Sequence, residues 1–189
     1  MGVVQRPAPR TENDARWTVE LASVIGGARR RALRDGDRQI DTAHLLHSLI
    51  ESDPEVRTVV GDVARIERLL GYLVQRSIGY GLRWQGSVED SGAVPVVGEA
   101  DADADADGGA GPGAEADLCG WSPSAVAAME GAVERARLRG DARVRGMDLL
   151  ARLAADRESR AVEVLERAGV DTELLARRAA VPSRHVSQG

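Results

Sequence analysis

The sequence contains neither lysine nor phenylalanine, has one cysteine and three histidines, and is only 3% aromatic. Without lysine there is no Gly-x-x-x-x-Gly-Lys-Ser/Thr loop, so the chain supplies no phosphate cradle of that kind and no ATP-driven motor. A lone Cys119 cannot close an internal disulfide. With His44, His47 and His185 it does not give four-ligand zinc spacing either, so neither a metal nor a cofactor is expected. No sequence neighbour lowers the Cys119 thiol pKa, and a nucleophile reading has no support. No apolar run reaches about 18 residues and the first residues lack the apolar stretch of a signal peptide. The expectation is a cytoplasmic protein without a membrane partner.

All 25 basic residues are therefore arginine, set against 30 acids for a net charge of −5. The imbalance is local. Arginines and acids nearly cancel from Arg16 to Arg83 and from Cys119 to Arg178, whereas Trp84 to Leu118 carries acids only. Arginine is the bidentate binder of phosphate, so a helical regulatory protein gripping nucleic acid through arginine-rich faces is the alternative reading. The Arg29-Arg30-Arg31 run is diluted by Asp35, Asp37 and Asp41, and no basic surplus exists, which counts against it.

The acidic stretch is rich in Gly, Ala and Asp, and Asp101 to Asp107 alternates Asp with Ala without any apolar partner. It repels itself and has little to bury, so residues 84–118 read as a disordered linker whose removal leaves stability nearly unchanged. A calcium loop needs an internal Gly turn and a closing bidentate Glu, which the Asp repeat does not offer. The expected layout is a flexible N-terminus at 1–16, a first unit at 17–83, the linker, a second unit at 119–181 and a flexible tail at 182–189.

The two units are copies. Sliding the sequence by 104 positions brings Trp17 onto Trp121, Thr18 onto Ser122, Gly27 onto Gly131, Arg31 onto Arg135 and Gly36-Asp37 onto Gly140-Asp141. Ile40 then meets Val144, and Leu45, Leu46 and Leu49 meet Leu149, Leu150 and Leu153. Apolar residues recur at steps of three and four, as in Leu21, Val24, Ile25, Ala28 and Ala32, which is helical and not strand periodicity. Thr18 and Ser122 stand as N-caps, the latter followed by Pro123, and Gly36 and Gly140 suit left-handed C-terminal residues. Thr42 is expected to cap a second helix, Asp53-Pro54 to open a third, and Gly61-Asp62 to separate it from a fourth through Leu70 and Leu73. The second unit repeats this with a helix from Glu158 to Ala168 and another capped by Asp171. The fold class is all-α, about eight helices in two four-helix repeats.

These residues resemble the Clp N-terminal domain of ClpA- and ClpC-type unfoldases, itself a duplicated four-helix unit. Trp17-Thr18, Ala28 to Ala32, Gly36 and Ile40-Asp41-Thr42-Ala43-His44-Leu45-Leu46 follow the family's order. So do Trp121-Ser122-Pro123, Ala132 to Ala136, Gly140 and Val144 to Leu150, and the segment from Ala161 to Asp171 is similar to its third and fourth helices. The resemblance covers both repeats and misses the linker. Some ClpC-type domains recognise phosphoarginine through the Glu of a Thr-Glu-His motif. Those positions are Ala43 and Met147 here, which argues against that recognition.

His44 and His47 lie three apart and could be drawn as catalytic, but buried histidines hydrogen-bonded within a helix pair are the preferred reading. No enzyme is expected. The resemblance implies a non-catalytic protein- or peptide-binding module tied to Clp proteolysis, an adaptor or a decoy. Its partner would be a Clp unfoldase or protease subunit, a client, or a cyclic peptide that targets such domains. The binding residues expected are Trp17, Thr18, Trp121 and Ser122, where an aromatic side chain adjoins helix N-terminal amides. Core packing of the two tryptophans is the competing view.

Overall fold

The computed structural model describes residues 16–77, 89 and 120–181. The expectations for the chain ends, the Asp101 to Asp107 repeat, Cys119 and His185 fall outside the described residues. Eight helices form among those described: α1 (Val19–Asp35), α2 (Thr42–Ser52), α3 (Pro54–Val60), α4 (Val63–Ser77), α5 (Pro123–Arg139), α6 (Gly146–Ala155), α7 (Arg160–Arg167) and α8 (Thr172–Ala180). They make two four-helix repeats, α1 to α4 and α5 to α8.

Local chemistry sets the ends of the helices. Thr18 accepts from the Leu21 amide and Ser122 from the Ala125 amide, each leaving an extended residue before the first turn. Gly36 at φ 70° and Gly140 at φ 75° close α1 and α5 in the left-handed conformation that glycine adopts without a Cβ penalty. Two boundaries move by a residue or two from the sequence reading. Asp41, not Thr42, caps α2, because its extended backbone lets its carboxylate accept from the His44 amide at 3.0 Å. Ser159 caps α7, so the helix opens at Arg160 and not at Glu158.

The apolar stripes meet in one core. Leu45, Leu46, Leu49 and Ile50 of α2 and Leu149, Leu150 and Leu153 of α6 are almost fully buried, and α2 touches α5, α6 and α7 across the repeat boundary. The alanine faces of α1 and α5 let each lie close to the helix that follows it. At Gly27 a Cβ would stand 3.0 Å from Ser48 Oγ of α2, so this crossing has no room to spare. No helix among the described residues is long and apolar enough to cross a membrane.

The repeats are also stitched by backbone pairing. Trp17 bridges in parallel to Val144, and Trp121 to Ile40. Thr18 N donates to Val144 O at 3.0 Å and Val144 N to Arg16 O at 2.9 Å, while Ser122 N donates to Ile40 O at 2.9 Å and Ile40 N to Gly120 O at 2.7 Å. The two sets are related by the shift of 104 positions. Each repeat therefore lends its entry residue to the other's loop.

Candidate functional site

The crossed pairing brings three helix N-termini to the repeat boundary: those of α2, α5 and α7. Helix N-termini carry unpaired amides and a partial positive charge, which attract an anion. The anion is Glu89, only 3% exposed, from within the segment read as a linker. Its carboxylate accepts from Thr42 N at 2.9 Å, Arg160 N at 2.8 Å and Ser122 Oγ at 2.7 Å, and from the Thr42 hydroxyl. Its own amide donates to Gln39 Oε1 at 2.8 Å. Four donors on one carboxylate compensate its removal from water.

The donors are themselves held. Ser122 Oγ takes the Ala125 amide at 3.0 Å and Thr42 Oγ1 takes the Ala161 amide at 3.0 Å. Beside them Arg160 Nη1 meets Asp41 Oδ2 at 2.6 Å, an ion pair buried on both sides and spanning the repeats. At the related place in the second repeat, Gly146 stands where the first has Thr42. There a Cβ would fall 2.1 Å from Asp53 Oδ2, so a carboxylate fills this corner too. Burial pushes the Asp53 carboxyl up from its ordinary range, against the pull of hydrogen bonds from the Val56 and Glu55 amides.

Of the four residues expected to bind, Trp121 is 7% exposed and Ser122 is wholly buried, whereas Trp17 and Thr18 are half-buried at the rim. The Arg29 guanidinium lies over the Trp121 ring, 5.8 Å from its centre. Arg31 donates to Ser48 Oγ at 3.1 Å and pairs with Glu51, so two members of the arginine run serve contacts within the fold. The Ser122 and Ala125 amides are both engaged within the fold, by Ile40 O and Ser122 Oγ. The sequence reading missed Glu89 and Arg160, and saw Thr42 only as a cap. Glu89 is one acid among many in a low-complexity stretch, and nothing in its neighbours sets it apart.

No family model and no curated protein matches the chain. Among solved structures it is similar to the N-terminal domain of the caseinolytic protease associated chaperone ClpD from Arabidopsis thaliana. The TM-score is 0.56 over 87% of this chain and 92% of that one, at 21% sequence identity. The fold is Clp N-domain-like and all-α.

Proposed function

We propose that the chain is a non-catalytic protein- or peptide-binding module of the Clp system, acting as an adaptor or a decoy. The observation that carries the reading is the docking of Glu89. A residue outside the two repeats inserts a carboxylate among three helix N-termini and gives its backbone amide to Gln39, as a bound peptide would. Ligands with an acidic side chain are the class this corner suits. Trp17 and Thr18 at the rim would meet the neighbouring residues of such a ligand, with Trp121 and Ser122 forming the floor. The partners in view are Clp unfoldase or protease subunits, their clients, or a cyclic peptide that targets them.

The test uses a labelled peptide spanning Gly86 to Gly92 and its Glu-to-Gln analogue, titrated into the Glu89→Gln protein. Saturable binding of the acidic peptide, loss with the Gln analogue, and weakening by Trp17→Ala support the reading. No binding, or equal binding of both peptides, rejects it. Retention of purified Clp unfoldase on the immobilised protein then tests the link to proteolysis.

A further inference from the structure

We propose that Asp35, Asp37 and His44 form a binding site for one divalent transition-metal ion of the zinc class. A carboxylate oxygen of each Asp and a ring nitrogen of His44 lie within 4.8 Å of one another. His44 is 1% exposed and the Asp35 side chain 7%. Among the described residues neither His44 Nε2 nor Asp35 Oδ2 has a hydrogen-bond partner, although both atoms are buried. His44 Nε2 stands 3.0 Å from Asp37 Oδ2 without hydrogen-bonding alignment. That is close enough for both atoms to reach one ion at about 2.0 to 2.2 Å.

The second repeat shows what this place requires. Its equivalents of Asp35, Asp37 and His44 are Arg139, Asp141 and Asp148. There the Arg139 guanidinium lies between the two acids, with Nη2 at 2.9 Å from Asp141 Oδ2 and 2.8 Å from Asp148 Oδ2. In the first repeat the residue at the arginine's position is an acid, Asp35, so no guanidinium from that position lies between the ligand atoms. Arg34 meets only the other oxygen of Asp35, at 3.0 Å.

Asp41 supplies the support a metal-bound histidine needs. His44 Nδ1 lies 2.8 Å from Asp41 Oδ1 and 3.1 Å from the Asp41 amide nitrogen. A metal on Nε2 selects the tautomer that donates Nδ1–H to the carboxylate, the usual carboxylate–histidine–metal relay, and gives up the bond from the amide. One imidazole and two carboxylates suit zinc, cobalt or manganese and not the all-oxygen sets of calcium and magnesium. Bound there, the ion ties the turn between α1 and α2 to α2 itself, beside the Asp41 carboxylate that reaches Arg160 of the other repeat. Spacing along the chain hid the site, because the turn after Gly36 assembles it from three ligands.

The full chain without a histidine tag, stripped by chelator, is titrated with Zn²⁺ by calorimetry and with Co²⁺ by visible absorption. We expect one ion per chain, a cobalt ligand-field band and a higher Tm with Zn²⁺. Asp37, 41% exposed, tolerates replacement, so Asp37→Asn should fold and bind Zn²⁺ about tenfold or more weaker. Asp35→Asn should behave alike, and Asp141→Asn in the second repeat should leave the zinc affinity unchanged. Absence of the cobalt band, or unaltered zinc affinity in both Asp35→Asn and Asp37→Asn, overturns the proposal.

Discussion

The two repeats share a frame and differ in its polar corner. Where the first has Asp35, Asp41 and His44, the second has Arg139, Arg145 and Asp148. The caps of α1 and α5, the left-handed glycines that close them and the leucine positions coincide at a shift of 104, since each is tied to backbone geometry or core volume. The charged corner has diverged, and with it the cap: Asp41 accepts the His44 amide, whereas Arg145 makes no side-chain cap bond. In the second repeat it neutralises itself: Arg139 and Arg145 both reach Asp141 Oδ2, at 2.9 and 2.8 Å. Hydrogen bonds from Arg139 and then Arg145 hold the Asp141 carboxyl below its usual range. In the first repeat Asp41 turns outward across the boundary to Arg160 instead.

Exchanging equivalent residues should expose this asymmetry most strongly at Asp41. Asp41→Ala leaves Arg160 charged and buried, and urea denaturation should show a loss of about 3–5 kcal/mol. Arg145→Ala, at the matching position but half-exposed, should lose less than about 1 kcal/mol. Equal losses would mean that the two corners are energetically alike.

The tryptophans give the next contrast. Trp121→Ala opens a cavity in the core and should destabilise by about 3–5 kcal/mol, whereas Trp17→Ala at the rim should do less, measured by thermal unfolding. A stable Trp121→Ala protein would reverse the assignment of floor and rim.

Removing the Glu89 carboxylate tests whether the segment between the repeats matters. Glu89→Ala strands the Thr42 and Arg160 amides, and a loss of about 1–3 kcal/mol is expected. Deleting Gly86 to Asp117 should lower the Tm likewise, in place of the neutral outcome that composition suggests. A neutral deletion would show that water replaces the carboxylate without penalty.

A further contrast depends on pH. His47 has Ala151 as its equivalent, so only the first repeat carries this proton switch. Burial, then the charge of Arg31, lowers its pKa to about 4, with Glu51 opposing. The unfolded chain takes up that proton first, near pH 6.5, so stability falls as pH drops from about 6.5 toward 4. Thermal melts across this range should show the slope, and His47→Gln should flatten it.

Helix frame and duplication were legible in the sequence because caps, glycine stops and the 3.6-residue period are local signals. Asp53-Pro54 opened α3 and Asp171 capped α8 as read. The site was legible only as an address. Ser122 was placed at a helix start, but its carboxylate partner comes from a stretch where every acid looks alike. Asp41 and Arg160 meet only once both repeats are folded, and no periodicity links them.

The crossed pairing of Trp17 with Val144 and of Trp121 with Ile40 makes the halves complementary fragments and not independent modules. A repeat cut from its mate would keep its helices' sequence signals but lose the partner for its entry residue and for its loop at once. Two such fragments supplied on separate chains would each present the half-made seam that the other completes. Cooperativity in this molecule is therefore written into its connectivity: the second repeat serves as template for the first, and the first for the second.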